Sequence, residues 1–307
     1  MSVSRTGWIA VAAAAGIAAA AVAGALLAQG SDSTSSTAKI PTTSGSGAGF
    51  DVPLALSPSA LALAKHDGNV LVGIAARPGG PIEVAAIRAD DPIATDSLQI
   101  ELGDRSLEPK PCGRGCSRVE APVLNGSPAR LSVRAGSAQV LFVLPARLPA
   151  PGDAVFARAS RTMERLRSYR FTERLSSGGE AVFTRLAVQA PDRLRLRTSG
   201  GYRSVIIGRS RWDYSGGRWE RVPFPGLEVA GVLMWSRAKH PRILARRPGG
   251  VTELAAFGLQ PVPAWFRLAV NPSGRVLEAE MIAVSHFMVH RYSDFNGRIS
   301  ITPPVRK

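Results

Sequence analysis

His286, Met288 and His290 alternate along the run His-Phe-Met-Val-His near the end of the chain. In a strand, positions i, i+2 and i+4 share one face. Two imidazoles and a thioether on one face form a soft ligand set that suits Cu(I). The same side chains would equally cover the outside of a sheet, with Phe287 and Val289 turned to the core. The pair also spells His-x-x-x-His. A zinc protease needs Glu directly after the first His as its general base, and Phe287 stands there, so that chemistry is excluded. Cys112-Gly-Arg-Gly-Cys116 is the second group. Its glycines let a five-residue loop fold back until the sulfurs meet. Oxidised, the pair staples a hairpin; reduced, it offers thiolates to copper. These are the chain's two cysteines, and a disulfide is the expectation for an oxidising compartment.

Other reactive groupings are missing from the sequence. There is no Gly-x-Ser-x-Gly, no glycine-rich phosphate loop and no paired-carboxylate signature. His66 and His240 stand alone. Glu173, Asp213 and Asp294 have no partner legible in sequence, and isolated polar residues in strands are usually surface. The expectation is a protein that is not an enzyme and holds no resident cofactor, with copper as the one metal in question.

The element that places everything else is Trp8 to Ala28, WIAVAAAAGIAAAAVAGALLA, without charge or proline. At about 1.5 Å per residue such a run just crosses a hydrocarbon core of roughly 30 Å. Arg5 precedes it and Asp32 follows, so the positive end stays in the cytoplasm and the rest lies outside. A cleaved signal peptide is the competing reading, with Ala23 and Ala25 spaced as an A-x-A site. The apolar run is longer than the ~7–15 residues of a typical signal core, which favours an anchor. Residues 1–28 are thus read as a single-pass membrane anchor with a cytoplasmic N-terminus. Residues 29–49, rich in Ser, Thr and Gly, form a flexible linker.

Residues 50–150 read as a β-sandwich of the immunoglobulin-like kind. Val70, Val72 and Ile74 alternate with smaller partners, Leu98, Ile100 and Leu102 with polar ones, and Leu131 and Val133 with Arg and Ser. Val140 to Leu144 is apolar throughout, as a strand buried on both faces would be. Turn signals such as Pro78-Gly-Gly-Pro81 and Asn125-Gly-Ser-Pro128 separate these runs. Ser59 to Lys65 is compatible with a helical turn before the first strand.

Pro149-Ala-Pro-Gly152 marks a boundary, and residues 151–307 form the second domain. Asp153 reads as an N-cap, and Val155, Ala159, Met163 and Leu166 fall on one helical stripe running to Arg167. A long ladder of strands follows, with Gly216-Gly217 and Asn271-Pro-Ser-Gly274 as turns. Leu227 to Lys239 has helical spacing. A helix followed by an antiparallel meander gives a mainly β protein with α, an α+β layout in which a curved sheet wraps on a helix. The helix stripe must touch whatever that sheet encloses.

The chain has 307 residues and a formal net charge of +15, with 38 Lys and Arg against 23 Asp and Glu. Its size suits two domains with real cores. Nucleic acid does not fit an extracytoplasmic location. Anionic lipid headgroups fit it, as do plain solvated strand faces.

Two stretches resemble known families. Residues 153 to 304 resemble the LolA-like superfamily, in particular its LppX/LprG lipid-carrier type. The features are the helix DAVFARASRTMERLRSYRFTERLSSG, then APDRLRLR, the RWDYSGGRWERVP hairpin, PAWFRLAVNPSGRVLEAEM and the ending HFMVHRYSDFNGRISITPP. Tyr292, Asp294, Phe295, Asn296 and Pro303 stand where that family often closes. The resemblance implies a half-open antiparallel barrel around an apolar cavity, with Val155, Ala159, Met163 and Leu166 lining it and a lipid or other hydrophobic molecule as ligand. Residues 60 to 304 also resemble the extracytoplasmic region of CopD-type copper-resistance proteins, the N-terminal half being similar to a YtkA/FixH-like sandwich. This implies copper binding at His286, Met288 and His290 and an envelope or copper-transport membrane partner.

Overall fold

The computed structural model describes residues 51–305 except 90, 228, 260 and 261. The anchor read at Trp8 to Ala28 and the linker at 29–49 lie outside the described residues. Among the described residues, no helix is long and apolar enough to cross a membrane.

The first half contains β1 (Leu61–Asp67), β2 (Val70–Ala76), β3 (Ile82–Arg88), β4 (Asp91–Pro92), β5 (Leu98–Leu102), β6 (Arg105–Leu107), β7 (Lys110–Gly113), β8 (Cys116–Val119), β9 (Ala129–Ala135) and β10 (Ala138–Leu144). They build two antiparallel sheets. One runs β1-β2-β3-β8-β7 with β4 beside β3, the other β10-β9-β5-β6. Alternation decides which side chains meet between them: Val70, Val72 and Ile74 pack with Ile100, Leu131, Val133 and Phe142. Two local readings change. Ser59 to Lys65 is not helical: a short 3-10 turn occupies Pro53–Leu56, and the β-pairing with β2 takes Leu61 onward into a strand. Val140 to Leu144 is buried on one face only: the outer face of its four-stranded sheet is open, so Leu141 and Val143 point to solvent at 46% and 64% exposure. Strands buried on both faces are β2 and, up to Ile87, β3.

The second half opens with helix α1 (Asp153–Glu164). Gly152 holds the N-cap position without a side-chain cap, and Asp153 sits inside the first turn, where its charge suits the helix dipole. The strands are β11 (Ser168–Ser176), β12 (Val182–Gln189), β13 (Arg193–Thr198), β14 (Arg203–Ile207), β15 (Ser210–Ser215), β16 (Arg218–Pro223), β17 (Lys239–Arg246), β18 (Thr252–Gly258), β19 (Ala264–Val270), β20 (Val276–Ala283) and β21 (His286–Ser293). They form one eleven-stranded antiparallel sheet in the order β16-β15-β14-β13-β12-β11-β21-β20-β19-β18-β17. This is two meanders rather than one. The first strand, β11, pairs with the last, β21, in the middle of the sheet, and the edges are β16 and β17. The segment 224–238 joins those edges. It is not the helix its spacing suggests: it holds a 3-10 turn at Val229–Val232 and irregular backbone. Phe224, Leu227, Val232, Leu233, Trp235 and Ala238 are all buried on the face of the sheet that carries α1, hereafter the inner face.

The sandwich leans on the opposite, outer face. Leu71, Ala75, Ala85 and Ile87 of β2 and β3 pack against Phe257, Trp265, Ile282 and Phe287. This accounts for the small partners within β2. A Cβ built on Gly73 would lie 2.1 Å from the Trp265 ring, so the indole fits only because residue 73 is glycine. Arg242, itself buried, donates to the carbonyls of Pro149 and Pro58 and ties the two halves at their junction.

Candidate functional site

The inner face is apolar over most of its area because the inward parity of each strand is. Tyr169, Phe171, Leu186, Val188, Leu194, Leu196, Leu254, Phe266 and Leu268 all point there. Above them α1 sets its stripe. Ala159 and Met163 are fully buried, Leu166 follows just past the helix end, and Val155 packs at the margin. The four thus lie in one cluster with the inner face and with segment 224–238. Phe156 meets the Trp235 ring edge-on at 5.7 Å. In this structure the space between helix and sheet is filled by the chain's own side chains, Trp235 the largest of them.

One polar set interrupts this surface. Glu173 and His290 face each other across the β11–β21 pairing, and both are buried. His290 Nε2 lies 2.8 Å from Glu173 Oε2 and donates to it, since a carboxylate accepts. His290 Nδ1 lies 3.3 Å from the Tyr292 hydroxyl. Burial raises the Tyr292 pKa, and the adjoining Trp235 indole opposes that rise. Burial raises Tyr169 strongly as well, with Tyr292 nearby adding to the effect. The Phe171 ring stacks obliquely on His290 at 4.7 Å. Register carries the polar row further. Thr184 stands opposite Glu173, and Thr198 opposite Thr184, both buried. At the margin Asp213 accepts from Tyr202 and Arg211, each at 2.8 Å. Burial and the Asp213 bond raise the Tyr202 pKa.

Glu173 and Asp213 are therefore not isolated surface acids. Glu173 shares its strand parity with Tyr169, Phe171 and Leu175, and that parity is the only sequence signal for its burial. Its partner, 117 residues away, has none.

The three residues read as copper ligands divide. His290 has both ring nitrogens engaged. Met288 is buried opposite Leu175 and Met281. His286 is half-buried at the strand start, with Nδ1 2.9 Å from the Val284 carbonyl. The copper-accessory reading finds no support in this arrangement. Cys112 and Cys116 are joined in a disulfide with Cα atoms 5.1 Å apart. The Glu83 carboxylate is close by, but it binds Arg118 and the Leu54 N–H, each at 2.7 Å. Sulfurs bonded to each other offer no thiolate.

No family model matches the chain, and no curated protein sequence matches it. Among solved structures, LprF from Mycobacterium bovis aligns at 11% identity with a TM-score of 0.39, over 52% of this chain and 100% of its own. The lipoprotein LppX from Mycobacterium tuberculosis aligns at 14% identity and 0.37, over 48% and 98%. A LolA superfamily protein from Nitrosomonas europaea aligns at 11% identity and 0.27, over 49% and 95%.

Proposed function

We propose that this chain is a membrane-tethered extracytoplasmic protein, not an enzyme, whose second half receives a lipid or other hydrophobic ligand between α1 and the inner face of its sheet, in the manner of a LolA-like carrier. One observation carries the reading. The apolar inner face is closed over by segment 224–238, which has little regular structure of its own. A helix or sheet layer is held by its own hydrogen-bond ladder; an irregular strap is held mainly by the side chains it inserts, and a ligand with the same apolar surface can replace them. The row Glu173, His290 and Tyr292 supplies the few polar groups that a mostly apolar site uses to orient its occupant. The resemblance of residues 153 to 304 to the lipid-carrier type points the same way. The hydrophobic run at Trp8 to Ala28 would hold the protein at the membrane from which such a ligand comes.

The test is non-denaturing mass spectrometry of the full chain purified from its membrane, beside an Ala159→Trp variant. The parent should carry a lipid-sized adduct and the variant should lose it, because the indole would occupy the space that the ligand needs. A parent free of adduct, unable to take up added phospholipid, rejects the reading. In a plain packed core Ala159→Trp would only overpack, at about 1–3 kcal/mol of stability.

A further inference from the structure

The outer face of the large sheet is divided. The sandwich covers its β18–β21 side. The β11–β16 side is open at one end and crossed at the other by the C-terminal residues Ile299 and Ile301, which pack on Ala187, Val205 and Trp212. In the open part Arg185, Arg197 and Arg203 stand directly opposite one another on β12, β13 and β14. Arg174 and Arg195 flank them on the same face, and all five are exposed. None lies within 4.0 Å of a carboxylate among the described residues. By strand parity no Asp or Glu shares this face on β11–β16; Glu173 points to the inner face, and Glu180 and Asp192 lie in the loops that flank β12. Like charges directly opposite each other destabilise a sheet, so the row works against the fold.

Aromatic groups sit among these charges. Phe183 is 54% exposed and stands opposite Arg174. The Arg203 guanidinium lies 5.1 Å from the Tyr214 ring centre, and Trp219 follows opposite Tyr214. Guanidinium groups for phosphate, an exposed apolar ring and half-buried Tyr and Trp together are the chemistry of a bilayer interface.

We propose that the outer face of β11–β14 docks on an anionic phospholipid surface through Arg185, Arg197 and Arg203, with Phe183 entering the headgroup layer. The exposed phenyl ring fits the headgroup layer of a bilayer; a single-stranded nucleic acid would stack bases on the same ring, so added DNA is an arm of the test.

The test uses the full chain carrying Ser199→Cys labelled with an environment-sensitive fluorophore. Residue 199 neighbours Phe183, and the described cysteines are both bonded. The chain is reconstituted in vesicles of phosphatidylcholine alone or mixed with phosphatidylglycerol. Flotation reports the anchor separately; the label reports docking. Emission should shift to the blue in the phosphatidylglycerol vesicles only, and high salt should reverse it. Replacing the three arginines by Gln should lower the docked-to-free ratio roughly 100-fold, at about one factor of five per charge. The melting temperature of that variant should hold or rise, because the opposed charges are gone. Phe183→Ser should weaken docking and leave its salt dependence intact. Equal emission in both vesicle types, no effect of the Gln substitutions, a fall in their melting temperature, or a label that responds to added DNA and not to phosphatidylglycerol would each overturn the proposal.

Discussion

Glu173 and His290 form a polar contact in which both side chains are buried. Removing one partner leaves the other buried without its hydrogen bond, a loss of about 1–3 kcal/mol. Glu173→Ala should therefore shift the urea midpoint strongly downward. Replacing both residues by Leu should recover most of that loss, since exchanging both partners of a buried hydrogen bond for apolar side chains is often nearly neutral. Failure of the double variant to recover would mean that the pair holds more of the structure than its two side chains. The buried tyrosines give a pH signature. Tyr169, Tyr202 and Tyr292 all have raised pKa values, burial first among the causes. In the unfolded chain a phenol ionises near pH 10. Their contribution to stability is complete below that pH and is lost as the pH rises above it, because the unfolded state releases protons that the native state keeps. Stability should fall above about pH 10, and Tyr292→Phe should make the fall shallower. An alkaline limb unchanged by Tyr292→Phe would contradict the assignment. Little of this was legible beforehand. The sequence shows Glu173 as a charge in a strand, and its burial depends on which parity faces α1, a fact fixed only when β11 pairs with β21.

At the scale of elements, reading succeeded where one periodicity ruled. The α1 stripe, the Gly216-Gly217 hairpin and the Asn271-Pro-Ser-Gly274 turn stand where local rules place them. It failed where tertiary contact overruled spacing. Val229, Val232 and Leu233 repeat like a helix, yet the segment must cross from one sheet edge to the other, and Val232 and Leu233 bind the inner face instead. Val140 to Leu144 is apolar throughout, yet the outer face of its sheet is exposed among the described residues, as Leu141 and Val143 show. The strap and the sheet behave differently under substitution. Trp235→Ala removes the largest side chain from the inner face and should cost about 3–5 kcal/mol, as large core truncations do. The same change should increase uptake of a fluorescent acyl chain, because it empties the space that a ligand would use. Loss of stability without gain in uptake would mark Trp235 as ordinary core. At the other interface, Gly73→Ala drives a methyl into the Trp265 ring and should cost about 1–3 kcal/mol. Trp265→Leu combined with it should restore part of that loss. If Gly73→Ala melts like the parent, the indole is not seated on β2 as described.

For the whole molecule, the layers divide the labour. The sandwich supports one side of the outer face, which leaves the inner face to α1 and the strap and the remaining outer face to the arginines. A mainly β architecture with a helix was legible from alternation and turn spacing. The pairing of β11 with β21 was not, because strand order in a sheet is a long-range property that spacing does not encode. That pairing makes β16 and β17 the edges and obliges segment 224–238 to close the inner face. The central claim is that a ligand takes the place of this strap. Hydrogen exchange of the full chain, with and without bound phospholipid, tests it directly. The amides of Ser236 and Ala238, which hydrogen-bond within the strap to Leu233 and Trp235, should exchange faster in the loaded protein while those of β11 and β21 stay protected. Phospholipid bound with the strap's exchange unchanged would contradict the account.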